Sequence, residues 1–127
     1  MSQDNINPDH YKNGPFECIE LSSKYSFCYG NAIKYVWRHN DKGKPVEDLE
    51  KALWYLDYAM KSGEILTPVL NIYSRDTVEL RPKLNMLIDL DFAGAREFWF
   101  ALLQGDKLRA SSAVKRMIDD KRREEAE

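Results

Sequence analysis

A chain of 127 residues is long enough to bury one real core and too short for two domains. Its 19 basic and 21 acidic side chains nearly cancel to a formal charge of -2, which argues against a general affinity for nucleic acid or anionic membrane and leaves only local patches. Two cysteines, Cys18 and Cys28, occur without a CxxC or a nearby histidine pair, so they read as free thiols of a reducing cytoplasm and not as a zinc site.

The opening MSQDNINPDHYKNG is polar, unlike the cationic-then-apolar pattern of a signal peptide. No run approaches the ~20 apolar residues that a bilayer span requires. A soluble, intracellular protein with no membrane partner is expected. Residues 1–15 are rich in Asn, Asp, Pro and Gly and read as an irregular lead-in. Within it His10 stands beside Tyr11, either as a surface or packing residue or as a functional group that changes charge near neutrality. Phe16, Ile19 and Glu20 are spaced as on a short first helix over about Phe16 to Lys24, with Glu17 and Glu20 sharing a face.

Ser26 can cap a second helix running from about Phe27 to Arg38. Gly30 is awkward there, costing ~1 kcal/mol relative to Ala. Either a ligand or another backbone approaches closely at this point, or the helix begins only at Asn31 with Asn as its cap. Ala32, Ile33, Val36 and Trp37 recur at helical spacing, while Asn31, Lys34, Tyr35 and Arg38 fall together on another face. One face can pack. The other is either solvated or a grip for phosphate, with Lys as a point charge and Arg as a planar fork. After the loop from Asp41 to Lys44, Pro45 suits a first helical turn, and Glu47, Asp48 and Glu50 place negative charge at the new helix's positive end.

The third helix, about Val46 to Ser62, carries a stripe of Val46, Leu49, Leu53, Leu56 and Met60. Trp54, Tyr55 and Tyr58 are expected mostly in the core, with stacking of Tyr55 or Tyr58 on a base as the alternative. Gly63 is a natural stop. Between 64 and 80 the chain turns apolar and β-branched around Pro68, as short strands or an extended connection. From Pro82 helix returns, with an apolar face of Phe92, Ala95, Phe98, Trp99, Leu102 and Leu103, then Gly105, then a last amphipathic helix through Ile118. The charged stretch 119–127 is expected to fray. The fold class is therefore mainly α: one domain over 1–127, built on an antiparallel helical hairpin, with a short β element allowed in 65–80.

The common nucleotide cradle GxxxxGK[ST] is absent, as are GxSxG, HExxH and GxGxxG. With His10 and His39 the only histidines, a histidine-rich metal centre is excluded, whereas a carboxylate-held Mg²⁺ is not. Glu17-x-x-Glu20 and Glu47-x-x-Glu50 form two helical carboxylate pairs that resemble the ExxE and ExxD of MazG-type nucleoside triphosphate pyrophosphohydrolases, with Glu50 where Asp belongs.

A more specific likeness is carried by NPDHYK at Asn7–Lys12, GNAIKYVWR at Gly30–Arg38, KGK at Lys42–Lys44 and EDLEKALWYL at Glu47–Leu56. In order and spacing these segments resemble the SaV-like family of small phage proteins. The likeness spans about 7–61 and leaves the helical half 64–127 without a counterpart. It implies nucleotide binding in the host cytoplasm, self-association into an oligomer, and deoxynucleoside monophosphate kinase activity that uses ATP and Mg²⁺ without a P-loop. By matched position it implies ligand contacts at Tyr11, Lys12, Asn31, Tyr35, Lys42, Lys44, Lys51 and Tyr55. In phosphoryl transfer His10 or Tyr11 would orient the acceptor, Lys34, Arg38 and Lys42 would hold phosphates, and Asp48 or Glu47 would hold Mg²⁺. The alternatives are a non-catalytic nucleotide binder, the pyrophosphohydrolase, and a phage adaptor that docks a host protein through the aromatic second half. Nucleic acid is not an expected partner.

Overall fold

The computed structural model describes residues 14–41, 43–67 and 78–127. Over these the chain is helical: α1 (Cys18–Ser22), α2 (Phe27–Arg38), α3 (Pro45–Ser62), α4 (Leu80–Asp89), a 3₁₀ turn (Phe92–Gly94), α5 (Arg96–Gln104) and α6 (Lys107–Ala126). No strand occurs among the described residues; 64–67 are irregular, and 68–77, where most of the expected β element falls, lie outside them.

The hairpin of α2 and α3 is the largest packing unit, and α3 is held between α2 and α6, with α5 joining α6 to α4. Pro45 opens α3, and Glu47 and Asp48 sit in its first turn where negative charge complements the helix dipole. Gly63 closes α3 in the left-handed conformation, at φ 76°. Immediately after it, Glu64 reaches back to the start of α2, where its Oε1 accepts the Cys28 backbone N–H at 2.9 Å. One side chain thus joins the end of α3 to the N-terminus of α2 and satisfies one of the donors a helix start leaves open.

Several expectations change. The first helix is confined to Cys18–Ser22; Phe16 packs its ring on Trp37 at 5.4 Å instead of starting the helix. The second begins at Phe27 after Ser26, so Asn31 is not its cap. Gly30 is explained by close approach of backbone, because a Cβ there would lie 2.8 Å from the Ser22 carbonyl oxygen at the end of α1. Residues 119–126, expected to fray, continue α6. Arg122 anchors this stretch to Glu50 of α3 at 3.0 Å.

The core gathers around Trp37, which meets Phe92 at 4.5 Å and Trp99 at 6.1 Å. The buried side of α3 is Asp48, Leu49, Ala52, Leu56 and Ala59, so the apolar stripe is rotated from the expected one, and Met60 is exposed. The two fully buried alanines let neighbouring helices approach closely. Trp54 and Tyr58, expected in the core, are on the surface at 59% and 51% exposure. Both cysteines are free and buried; burial pushes the Cys18 thiol up to about 12 and the Cys28 thiol up to about 11. They stay protonated and unreactive at neutral pH.

Candidate functional site

Antiparallel packing sets the polar face of α2 beside one flank of α3. Tyr35 and Tyr55 stack across the two helices, with ring centroids 5.9 Å apart and planes 14° from parallel. Three cations surround the Tyr35 ring: Lys34 Nζ at 4.6 Å, Arg38 Cζ at 4.8 Å and Lys51 Nζ at 5.6 Å from its centroid. Such contacts are favourable because the ring face is negative. They also concentrate positive charge in one place. Phe27, the first residue of α2, extends the aromatic surface by meeting Tyr55 edge-on at 6.1 Å.

Beneath this cluster, Arg38 Nη2 donates to Asp48 Oδ1 at 3.4 Å, and both side chains are largely buried. The pair ties the last turn of α2 to the first turn of α3. Asp48 therefore offsets the charge of Arg38, and the second carboxylate oxygen, Oδ2, is buried with no partner among the described residues. Glu47, the preceding residue, points outward between Lys51 at 3.8 Å and Lys44 at 4.0 Å. Those contacts are exposed and individually weak.

Of the residues singled out in the sequence, Lys34, Tyr35, Arg38, Asp48, Glu47, Lys51 and Tyr55 come together, and Lys44 stands exposed at the N-cap of α3. Asn31 is turned to local use: its side-chain amide donates to the Phe27 carbonyl at 2.8 Å. Beside it, Ser22, Gly30, Asn31 and Lys34 line a shallow groove of ≈ 230 Å³ between α1 and α2. His10, Tyr11, Lys12 and Lys42 lie outside the described residues.

The carboxylates do not assemble. Glu20 accepts the Glu17 backbone N–H at 2.8 Å as part of the α1 cap, and Glu50 is paired with Arg122. Among the described residues no group of three or more His, Cys, Asp or Glu is gathered to hold a metal ion. Glu47 and Asp48 diverge because successive helical residues point about 100° apart.

His39 enters the sequence reading only as one of two histidines too few for a histidine-rich metal centre. It is wholly buried, and its Nδ1 lies 2.6 Å from the Val36 carbonyl, which identifies Nδ1 as the protonated nitrogen. Burial, reinforced by Lys121 and opposed by the Val36 contact, Asp48 and Asp41, lowers its pKa from 6.5. The available signal was position: His39 follows Val36 by three, on the apolar side of α2.

The fold and this cluster define a small helical protein whose hairpin carries a cationic, tyrosine-centred face. Residues 6–57 match the profile of a family described as protein of unknown function DUF3310, a match that takes in α1, α2 and most of α3. No curated protein and no solved structure matches the chain.

Proposed function

We propose that the face formed by Lys34, Tyr35, Arg38, Lys51 and Tyr55 binds a nucleoside phosphate, and that the resemblance to SaV-like phage proteins extends this to a deoxynucleoside monophosphate kinase. The observation that carries the binding reading is the convergence of Lys34, Arg38 and Lys51 on one tyrosine ring from two helices. Lys34 and Lys51 would meet phosphate oxygens as point charges. Arg38, already hydrogen-bonded to Asp48, is held in a fixed orientation beside them.

For Mg²⁺ the described carboxylates are a poor fit. Asp48 is committed to Arg38 and Glu47 stands between two lysines. ATP would be engaged through its phosphates by the same lysines. Binding is thus the better supported part of the reading, and self-association and phage origin rest on the resemblance.

The test is calorimetric titration of the protein with a panel of deoxynucleoside monophosphates and ATP, followed by chromatography for ADP and deoxynucleoside diphosphates in the presence of Mg²⁺. Lys34→Ala and Lys51→Ala should each weaken binding roughly tenfold, the factor for losing one charge-assisted hydrogen bond of about 1.5 kcal/mol. Diphosphate formation supports the kinase. Binding without turnover supports sequestration, pyrophosphate release from triphosphates supports the hydrolase, and no binding at all overturns the nucleotide reading.

A further inference from the structure

The groove between α1 and α2, ≈ 230 Å³ in volume, opens beside the cationic face. Its large apolar lining residues come from different helices: Ile19 of α1 and Phe27 of α2, which stand 60% and 73% exposed. Gly30, also on the lining, adds no side chain to fill the space. A flat ring lying against Ile19 and Phe27 would take both out of water.

The same groove carries hydrogen-bonding groups without partners. The hydroxyl of Tyr25, a lining residue, is buried and has no partner among the described residues, a costly arrangement that an incoming polar group would complete. Asn31 donates its side-chain N–H to the Phe27 carbonyl at 2.8 Å. That contact fixes the carboxamide and leaves Oδ1 as an acceptor with no donor among the described residues. Apolar lining, a hydroxyl and a fixed acceptor together complement a nucleobase, which has a flat π-face and an edge of hydrogen-bonding groups.

Two residues join the groove to the tyrosine stack. Lys34 lines the groove and also stands 4.6 Å from the Tyr35 centroid, and Phe27 lines it and also meets Tyr55. A ligand with its phosphate at Lys34 therefore has the groove within reach of its other end. We propose that the α1–α2 groove receives the base of the nucleotide whose phosphate Lys34 and Lys51 hold; the assignment rests on the phosphate-binding reading of that face and narrows its ligand to a mononucleotide. The volume agrees, being below the roughly 300–1,000 Å³ of pockets that take drug-sized ligands, so one base fits and a dinucleotide does not. An apolar peptide side chain is the competing occupant. The cation on the lining favours a ring that carries an anionic group.

Calorimetric titration with the four deoxynucleoside monophosphates and with deoxyribose 5-phosphate, which keeps the sugar and phosphate but lacks the base, tests the assignment. The wild type should bind at least one of the nucleotides about tenfold or more tighter than the sugar phosphate. Phe27→Ala should remove most of that ratio, the usual effect of losing one base-stacking ring, and Ile19→Ala should lower it about threefold. Both side chains are largely exposed, so neither change threatens the fold. Tyr25→Phe should lower the ratio about threefold without lowering the melting temperature, because the hydroxyl it deletes has no partner in the free protein. Lys34→Ala should weaken nucleotide and sugar phosphate alike and leave the ratio in place. Equal affinity of the wild type for both kinds of ligand, or a ratio unmoved by Phe27→Ala and Ile19→Ala, would overturn the base site and leave the phosphate site standing. Binding of neither ligand would overturn the phosphate-binding reading and the base site with it.

Discussion

Replacing Asp48 by Asn keeps the shape of the side chain and removes its charge, leaving the largely buried guanidinium of Arg38 without this carboxylate. Removing one member of a buried ion pair typically costs about 3–5 kcal/mol. The lower end applies here, because Arg38 keeps some exposure and its contact with the Tyr35 ring. A loss of ~3 kcal/mol in a chain of this size lowers the melting temperature by about 10 °C. Glu50→Gln is the control. Its pair with Arg122 is shorter, 3.0 Å against 3.4 Å, yet both partners are more than half exposed, so it should cost ~0.5 kcal/mol or less. Urea denaturation of the three proteins at pH 7 measures both differences. Equal losses for the two variants, or a loss below ~1 kcal/mol for Asp48→Asn, would refute the claim that burial and not distance decides the worth of these pairs.

His39 is buried as the neutral imidazole, with its pKa held below 6.5. The unfolded chain takes up a proton that the folded chain refuses, so its contribution to stability is level above about pH 6.5 and stability falls as the pH drops below it. Denaturation between pH 7.5 and 5 should show this fall, and His39→Gln should flatten it. Glu64 acts in a lower window: hydrogen bonding from Cys28, first its thiol and also its backbone N–H, holds its carboxyl below 4.5. That stabilisation is present above 4.5 and is lost as the pH falls through the folded-state pKa, and Glu64→Ala should cost ~1 kcal/mol at pH 7 as a lost helix cap. Gly30→Ala should destabilise by about 1–3 kcal/mol despite Ala's better helix propensity, because the new Cβ meets the Ser22 carbonyl at 2.8 Å; a stabilised variant in thermal denaturation would contradict this.

The hairpin was legible because strong local signals agree: apolar spacing in Ala32, Ile33, Val36 and Trp37, a proline and acidic residues opening α3, and Gly63 closing it. The rotation of α3 was not. Periodicity weighted by hydrophobicity favours Leu53 and Met60 over Ala52 and Ala59, whereas packing between two helices rewards the small residues that let backbones approach. For the same reason Trp54 and Tyr58 read as core and stand on the surface. Gly30 was legible as a place of close approach, but its neighbour, the end of α1, depends on how the chain turns between Ser22 and Phe27.

Asp48 shows most clearly where spacing stops informing the candidate site. In the sequence it is one of three acids at a helix start, interchangeable with Glu47 and Glu50 as a metal ligand or a dipole partner. In the fold the three separate into different roles: Asp48 turns inward to Arg38, Glu47 outward between lysines, and Glu50 across to α6. The charge of Arg38 is thereby largely spent inside the hairpin. Lys34 and Lys51 remain as the exposed positive charge beside the tyrosine stack, and the proposed phosphate contacts fall to them. Phosphoryl transfer asks for more, namely a metal or base beside those phosphates, and the three acids at the start of α3 are already engaged elsewhere. The pairing that holds Arg38 inside the hairpin therefore also draws Asp48 away from the role of a catalytic group.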